Sequence, residues 1–334
     1  MFNNLQTILS GQPKYRQKQV QQAIYGDFID TWEKATTLPL ALRLQLQKEY
    51  PLDINAKLLF SEDKQSIKGL ITLKDNSKIE TVLMRHEDGR NTVCVSTQVG
   101  CPMDCDFCAT GKLGLKRNLT TDEIIKQVLL FSRYLKKEDH RVSGVVFMGM
   151  GEPFLNFMNF IEAIKILNDK EAFNIGSRHI SISTCGVIEG IKKIANFPLQ
   201  VNLALSLHAP NNELRSKLMP ANKRFPLDKV LDALANYIKK TKRRVMIEYI
   251  MLDKINDSPA QAKELAKLLK NKLGGLFFVN LIAYNFSGQI NYKPSSSEAI
   301  AAFKAVLEKE KITVTQRYRF GREISAACGQ LAGE

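Results

Sequence analysis

Three cysteines stand close together in one short stretch, Cys101-Pro-Met-Asp-Cys105-Asp-Phe-Cys108. Three soft thiolates on one loop suit a single metal centre, because thiolates are the ligands that zinc and iron–sulfur clusters prefer. A structural zinc site usually takes four ligands, and the candidate for the fourth, Cys94, lies on a predicted strand upstream. The open set of three thiolates therefore favours a [4Fe–4S] cluster with one free iron over zinc and over ordinary buried cysteines.

Three further cysteines stand apart from this motif. Cys94 precedes it, Cys185 lies in the middle of the chain, and Cys328 follows in Ala-Ala-Cys-Gly-Gln. An isolated cysteine is ordinarily a small buried apolar residue, and we interpret Cys185 in that way. The small residues and glycine around Cys328 make a poor core element, however, and favour a loop that brings a thiol into a site.

Short apolar runs alternate with longer amphipathic runs from about residue 79 onward. The pattern predicts strands followed by helices, and hence a parallel sheet with right-handed crossovers. There are about six such units, fewer than the eight of a closed barrel. We therefore predict an α/β fold with an incomplete (β/α)6-type barrel, and an open doubly wound sheet is the alternative. In both architectures the functional groups gather at the carboxyl ends of the strands.

The chain changes character near residue 75. Before it, apolar residues recur at helical spacing from Val20 to Trp32, and residues 56–71 have the pattern of short strands. We divide the chain into an N-terminal accessory domain at 1–78, a partial barrel at 79–318, and a C-terminal segment at 319–334 that carries Cys328.

Basic residues exceed acidic ones, with 48 Lys and Arg against 34 Asp and Glu, a net charge of +14. The excess favours a polyanionic partner such as RNA, and a merely soluble basic protein is the alternative. No apolar run approaches the roughly 18 residues of a membrane span, and the start lacks a secretory signal, so we expect a cytoplasmic protein. The basic residues expected to flank the site are Lys14, Arg16, Lys18, Lys112, Lys116 and Arg117.

Taken together, the motifs resemble those of the radical S-adenosylmethionine (SAM) superfamily, and within it the RlmN/Cfr family of RNA adenine methyltransferases. The cysteine motif with Phe107 before its last Cys carries the first resemblance. The second runs in order through MGMGEPFLN, ISTCGV, LALSLHAPNNELRSKLMPAN and AACGQLAGE, over nearly the whole chain. The resemblance implies the radical SAM barrel and a [4Fe–4S] cluster on Cys101, Cys105 and Cys108. It also implies that S-adenosylmethionine binds the free iron.

Contacts to S-adenosylmethionine are implied at several strand ends. Gly151 and Glu152 resemble the segment that binds the methionine amino group, although such a glycine-rich turn alone is more often only a turn. The remaining implied contacts are Ser183, Ser206, Leu207, His208 and Asn285. We give His208 no role in proton transfer. The family usually carries Pro where Phe286 follows Asn285.

The reaction implied by the resemblance is methylation of carbon 2 of an adenine in 23S rRNA, at the peptidyl-transferase centre, and of an anticodon-loop adenine in some tRNAs. Cys328 carries the methyl group, Glu80 removes the ring proton, and Cys94 releases the product with formation of a Cys94–Cys328 disulfide. Two S-adenosylmethionine molecules are consumed per turnover, an external electron donor and a thiol reductant are required, and the protein acts as a monomer. Methylation of carbon 8 is the close alternative. A non-catalytic, zinc-stabilised RNA-binding protein is the alternative of another class.

Overall fold

One mixed sheet of ten strands runs through the part of the chain that the computed structural model describes, residues 2–286, 292–317, 321 and 323–333. Its order is β1-β2-β3-β4-β7-β8-β9-β10-β11-β12, and β5 and β6 form a separate hairpin. The strands are β1 Ala56–Phe60, β2 Ser66–Thr72, β3 Lys78–Arg85, β4 Asn91–Cys94, β5 Gln98–Gly100, β6 Leu115–Asn118, β7 Gly144–Phe147, β8 Ile180–Thr184, β9 Asn202–Ser206, β10 Val245–Met251, β11 Phe277–Ala283 and β12 Val314–Gln316.

The helices are α1 Phe2–Leu9, α2 Lys14–Gln21, α3 Leu40–Glu49, α4 Ala109–Lys112, α5 Thr121–Lys136, α6 Phe157–Asn168, α7 Ile188–Ile194, α8 Asn212–Leu218, α9 Leu227–Thr241, α10 Pro259–Leu273 and α11 Ser297–Lys309. Helices α1–α3 precede β1, α4 lies between β5 and β6, and α5–α11 connect the strands of the parallel part of the sheet. Local sequence defines the helix starts clearly. In α5, for example, the Thr120 side chain accepts from the Glu123 amide, and the Glu123 carboxylate accepts from the Thr120 amide.

The predicted incomplete barrel is confirmed. Six parallel strands, β4 and β7–β11, are each followed by a helical connection, and β12 adds a seventh parallel strand that the sequence analysis did not include. The edge strands of the sheet are β1 and β12, so the barrel does not close. The central strands are buried, and their carboxyl ends lie along one edge, where parallel α/β sheets bind their ligands.

The N-terminal part is joined to the barrel through sheet and helix contacts. Strands β1–β3 are antiparallel and pair with β4, so the boundary expected at residue 78 falls at the first residue of β3, inside the shared sheet. On α5, Asp122 accepts a hydrogen bond from the hydroxyl of Tyr50, and Arg133 donates to the carbonyl of Leu52 at 2.9 Å. The boundary expected at residues 318 and 319 lies outside the described residues.

Within the described ranges, no helix is both long and apolar enough to cross a membrane.

Candidate active site

Two adjoining cavities open at the carboxyl ends of the barrel strands. Their volumes are about 700 and 870 Å³, and both are lined by Cys108, Met148, Arg317 and Cys328. All the predicted site residues except Glu80 and Leu207 line one or both of them. The larger one, which we call the cofactor cavity, contains the three motif cysteines. The smaller one, which we call the thiol cavity, contains Cys94.

The motif cysteines lie in the loop between β5 and β6. The amide of Cys101 donates to the carbonyl of Gly114, and the amide of Cys108 donates to that of Cys105, at 2.9 and 3.1 Å. Burial raises the pKa of Cys101 to about 12, and burial together with the neighbouring thiols raises the pKa values of Cys105 and Cys108. A bound metal centre reverses this penalty, because it stabilises the thiolates that repel one another without it.

The number and chemical type of these thiols bear on the choice between zinc and a cluster. A zinc ion needs all its thiolates within about 2.3 Å of a single point. A [4Fe–4S] cluster instead takes each cysteine on a different iron, so the donor set fits the cluster.

Glu152 is a buried carboxylate at the end of the Gly-rich turn. Its Oε1 accepts from the Phe154 amide at 3.1 Å, and its Oε2 accepts from the Cys185 amide at 2.8 Å. It forms no ion pair within the described residues, and burial raises its pKa. Gly151 has a φ of +100°, and a Cβ there would lie 2.5 Å from the Cβ of Gln98. The turn therefore leaves a carboxylate available for a cationic ligand such as an ammonium group.

Two serines, a glutamate and an arginine form a hydrogen-bonded chain across the cofactor cavity. The hydroxyls of Ser183 and Ser206 lie 3.1 Å apart, and both donate to Oε2 of Glu248. Oε1 of Glu248 pairs with Nη1 of Arg317 at 3.3 Å, and Nη2 of Arg317 lies 3.5 Å from the sulfur of Met148. This hydrogen-bonded chain connects β8, β9 and β10 to the segment after β12.

His208 is a neutral, fixed side chain in the wall of the cofactor cavity. Burial, with help from Arg215, lowers its pKa to about 3. Its Nδ1 accepts from the Ile250 amide at 3.1 Å, so Nε2 carries the proton. Leu207 is fully buried and contributes backbone groups, because its carbonyl accepts from Nε of Arg215 at 3.2 Å. The expectation that His208 transfers no proton stays a prediction.

The segment around Cys328 is bound to the cysteine loop by backbone contacts. The amide of Ala109 donates to the carbonyl of Gly329 at 2.8 Å, and Oγ1 of Thr110 donates to the carbonyl of Leu331 at 2.6 Å. Both donors immediately follow Cys108. The thiol of Cys328 is thereby held at the junction of the two cavities.

Asn285 follows β11 and lines the thiol cavity. Its Nδ2 lies 3.4 Å from the carbonyl of Cys328. Its Oδ1 is buried and has no hydrogen-bond partner in the part of the chain that the structure describes. Such an acceptor is costly unless a ligand supplies a donor, which fits a contact to S-adenosylmethionine. The next residue, Phe286, is exposed, and its carbonyl accepts from Nε2 of Gln330.

Cys94 and Cys328 line the same cavity together with Arg317, and both are free thiols. Burial and the nearby Cys328 thiolate raise the pKa of Cys94 to about 12, while Arg317 acts in the opposite direction. The pKa of Arg317 is raised, first by the Cys328 thiolate and then by Glu248 and Cys94. The guanidinium of Arg317 is therefore a positive charge that faces both thiols of this cavity.

Glu80 lies outside both cavities. It is 1% exposed, forms an ion pair with Nζ of Lys68 at 2.9 Å, and accepts from the amide of Ala332 at 2.9 Å. A base for the substrate must come within hydrogen-bond distance of the proton that it removes. The role of Glu80 as general base stays a prediction.

The basic residues near the site fall into two groups. Lys112 pairs with Asp106 at 2.8 Å, and Arg117 forms a two-pronged pair with Glu123 at 2.9 Å. Both side chains are therefore already ion-paired within the protein. Arg16 and Arg117 are half-buried, and Lys14, Lys18, Lys112 and Lys116 are exposed. Of the exposed four, Lys14, Lys18 and Lys116 form no ion pair within the described residues.

Three site residues were not predicted from the sequence. Glu248 could have been found, since it is a single acidic residue in the otherwise apolar strand Val245–Met251. Arg317 directly follows a short edge strand and carries no comparable signal. Cys185 was interpreted as a core thiol; it is buried, but it also lines the cofactor cavity.

The chain is similar to known proteins over almost its whole length. The model of the Radical SAM superfamily matches residues 95–269. A radical SAM methyltransferase of known crystal structure, from Sphaerobacter thermophilus, superimposes with a TM-score of 0.96 at 41% identity, covering 100% of this chain and 98% of that one. Fold and site therefore define a radical SAM protein.

Two curated relatives narrow this class. A probable dual-specificity RNA methyltransferase RlmN from Dictyoglomus thermophilum is 44% identical, over 96% of this chain and 91% of that protein. A ribosomal RNA large subunit methyltransferase Cfr from Clostridium botulinum is also 44% identical, over 96% and 93%. The chain belongs to the RlmN/Cfr family of radical SAM methyltransferases, and the family implies a [4Fe–4S] cluster and S-adenosylmethionine.

Proposed function

We propose that this protein methylates carbon 2 of an adenine in 23S rRNA, and of an adenine in the anticodon loop of some tRNAs. The observation that supports a methyl-carrying mechanism is that Cys94 and Cys328 line one cavity, which joins the cofactor cavity at Cys108. The segments GEPFLN and AACGQLAGE favour carbon 2 over the carbon 8 chemistry of the Cfr relatives. The basic excess of the chain suits an RNA substrate.

In this proposal Cys328 is the first nucleophile and accepts a methyl group from S-adenosylmethionine, forming a thioether. Arg317 is the cation beside both thiols in the thiol cavity. Cys94 stays protonated during this step, because its pKa of about 12 lies well above neutral pH. Cys94 therefore does not compete with Cys328 for the methyl group.

Methylation of Cys328 changes the environment of Cys94. A thioether carries no charge, so one of the three causes that raise the pKa of Cys94 disappears, while the opposing effect of Arg317 remains. The pKa of Cys94 therefore falls after Cys328 has been methylated. This order suits a thiol that acts last, by attacking the Cys328 sulfur and releasing methylated RNA with a disulfide.

The cofactors have residues that would hold them. Cys101, Cys105 and Cys108 would hold the cluster, and Glu152 and Asn285 would contact S-adenosylmethionine. When bound, the cluster supplies the electron that cleaves a second S-adenosylmethionine and starts the radical reaction. Glu80 is the proposed base for the ring proton, and an external electron donor and thiol reductant complete the turnover.

The test of the proposed function uses the Cys94→Ala variant. Because Cys94 acts only after the carbon–carbon bond has formed, this variant should accumulate a covalent adduct between Cys328 and RNA. Denaturing electrophoresis with and without ribonuclease, followed by mass spectrometry of the Cys328 peptide, detects the adduct. Cys328→Ala is the matched control and should give none. A folded, iron-loaded Cys94→Ala protein that forms no adduct in cells would contradict the proposal.

A second measurement identifies the position of the methyl group. Mass spectrometry of 23S rRNA and tRNA, from cells that lack and then express this chain, distinguishes 2-methyladenine from 8-methyladenine. We expect 2-methyladenine in both RNAs. Finding 8-methyladenine alone would contradict the carbon 2 assignment and leave the roles of the two thiols intact.

A further inference from the structure

The segment that carries Cys328 forms part of the wall of the thiol cavity. Cys328, Gly329 and Leu331 all line this cavity. Hydrogen bonds from Ala109 and Thr110 hold the carbonyls of Gly329 and Leu331 and so attach the segment to the cysteine loop. A further attachment comes from a different part of the protein, strand β3.

One face of β3 extends from the thiol cavity to this attachment. Glu80, Val82 and Met84 occupy alternate positions of the strand, so their side chains share one face of the sheet. Val82 and Met84 line the thiol cavity. Glu80 continues the same face outside the cavity, and its Oε2 accepts from the amide of Ala332 at 2.9 Å. The segment that carries Cys328 is thereby bound to the strand face that lines the cavity.

Lys68 completes this contact from the neighbouring strand β2. It lies opposite Val82 in the ladder, on the same face as Glu80, and its Nζ pairs with Oε1 of Glu80 at 2.9 Å. The two side chains are 6% and 1% exposed. A buried ion pair contributes little net stability, because taking two charges out of water costs about as much as their attraction returns. What distinguishes this pair is that the second carboxylate oxygen holds the amide of Ala332.

We propose that Lys68 and Glu80 are positioning residues that anchor the segment carrying Cys328 and thereby hold its thiol at the junction of the two cavities. This anchor acts on methyl transfer to Cys328, before RNA takes part in the reaction. It is therefore distinct from the proposed removal of the ring proton by Glu80. The effect on methyl transfer rests on the proposed function, whereas the anchoring of the segment does not.

The two roles of Glu80 require different chemical properties. A base must be ionisable, whereas an anchor needs only an oxygen that accepts from the Ala332 amide. Glu80→Gln keeps such an oxygen and removes the base. The double variant Lys68→Met, Glu80→Leu removes the acceptor and replaces both charges by apolar side chains. Such a replacement often preserves stability, whereas removing Lys68 alone would leave a buried, unpaired carboxylate.

The first test measures hydrogen exchange in holoprotein without RNA. Mass spectrometry with fragmentation of the C-terminal peptide gives the exchange rate of the Ala332 amide. The double variant should exchange this amide about tenfold or more faster than wild-type protein, because one charge-assisted hydrogen bond is lost. Glu80→Gln should retain most of the protection. Strand Val245–Met251 is the internal reference, since its exchange responds only to a change in the whole fold. Wild-type exchange of Ala332 in the double variant would overturn the proposal.

The second test follows methyl transfer to Cys328 in a single turnover, with methyl-labelled S-adenosylmethionine and no RNA. The double variant should take up label about tenfold or more slowly than wild-type protein, because its thiol is no longer held in place. Glu80→Gln should be slowed less than the double variant. Uptake by the double variant at the wild-type rate would overturn the positioning role. If wild-type protein takes up no label, the proposed function fails, and the exchange measurement still decides whether the anchor exists.

Discussion

Replacing Arg317 by Gln removes the cation between Glu248 and the two thiols. The guanidinium lies 3.3 Å from Oε1 of Glu248, whose side chain is 4% exposed, and it is coupled to Cys328 more strongly than to any other charge. A hydrogen bond to a charged group contributes about 1.5–3 kcal/mol. If the charge of Arg317 stabilises the attacking sulfur of Cys328 by a similar amount, its loss should slow methyl transfer to Cys328 by about tenfold to 150-fold.

The assay is a single-turnover measurement without RNA. Holoprotein is mixed anaerobically with methyl-labelled S-adenosylmethionine at saturating concentration and quenched with acid, and the label on the Cys328 peptide is counted over time. Arg317→Lys keeps the charge and should lose less than Arg317→Gln. The double variant Arg317→Gln, Glu248→Gln removes both charges and should recover most of the stability lost by Arg317→Gln, because no unpaired carboxylate remains.

A structural role for Arg317 would give a different result. It predicts that the loss of methylation follows the loss of unfolding free energy, so that the double variant recovers both. A role of Arg317 toward the attacking sulfur predicts that the double variant recovers stability and still transfers the methyl group slowly. Labelling of Cys328 in Arg317→Gln at the wild-type rate would refute the proposed role of the guanidinium.

Three further predictions concern the cofactor, the second thiol and RNA. Glu152→Gln should weaken binding of S-adenosylmethionine by about tenfold or more with unchanged iron content, measured by anaerobic calorimetry, since a buried charge-assisted contact is lost; unchanged affinity would exclude Glu152 as the ammonium contact. Cys94, with a pKa of about 12, should be only about one part in 10⁴ thiolate at pH 8, so its alkylation by iodoacetamide should rise about tenfold per pH unit up to pH 10; a plateau below pH 9 would contradict this pKa. Neutralising Lys14 and Lys116 together should flatten the salt dependence of RNA binding, with a slope reduced by about 1.5 in filter-binding assays, whereas an unchanged slope would exclude phosphate contacts there.

The sequence was most informative where chemistry and secondary structure agree. Thiol spacing located the cysteine loop, and the rule that functional groups lie at carboxyl ends of parallel strands grouped Glu152, Ser183 and Ser206 correctly at one edge. The rule works because parallel strands end on the same side of a sheet, whatever the loops between them contain. The sequence therefore predicted the position of site residues that follow a predicted strand.

Contacts between distant segments of the chain could not be predicted from the sequence in the same way. Arg117 pairs with Asp75, which lies in another part of the chain, and nothing in the local pattern of either residue indicates the partner. The ion pair between Glu80 and Lys68 depends on the register of β2 with β3. For the same reason, the pairing of Glu80 with Lys68 could not be predicted from the sequence.

The unbroken pairing from β1 through β3 into β4 has a consequence for how a folded RNA can be accommodated. Val82 lies opposite Cys94 in this ladder, and each step between neighbouring strands is about 4.8 Å. The N-terminal strands cannot swing about a hinge at residue 78 without breaking backbone hydrogen bonds. The distance between these strands and Cys94 is thus a fixed length. Under the proposed function, an RNA held on these strands would have to match that length by its own tertiary shape, and any rearrangement would be left to the RNA.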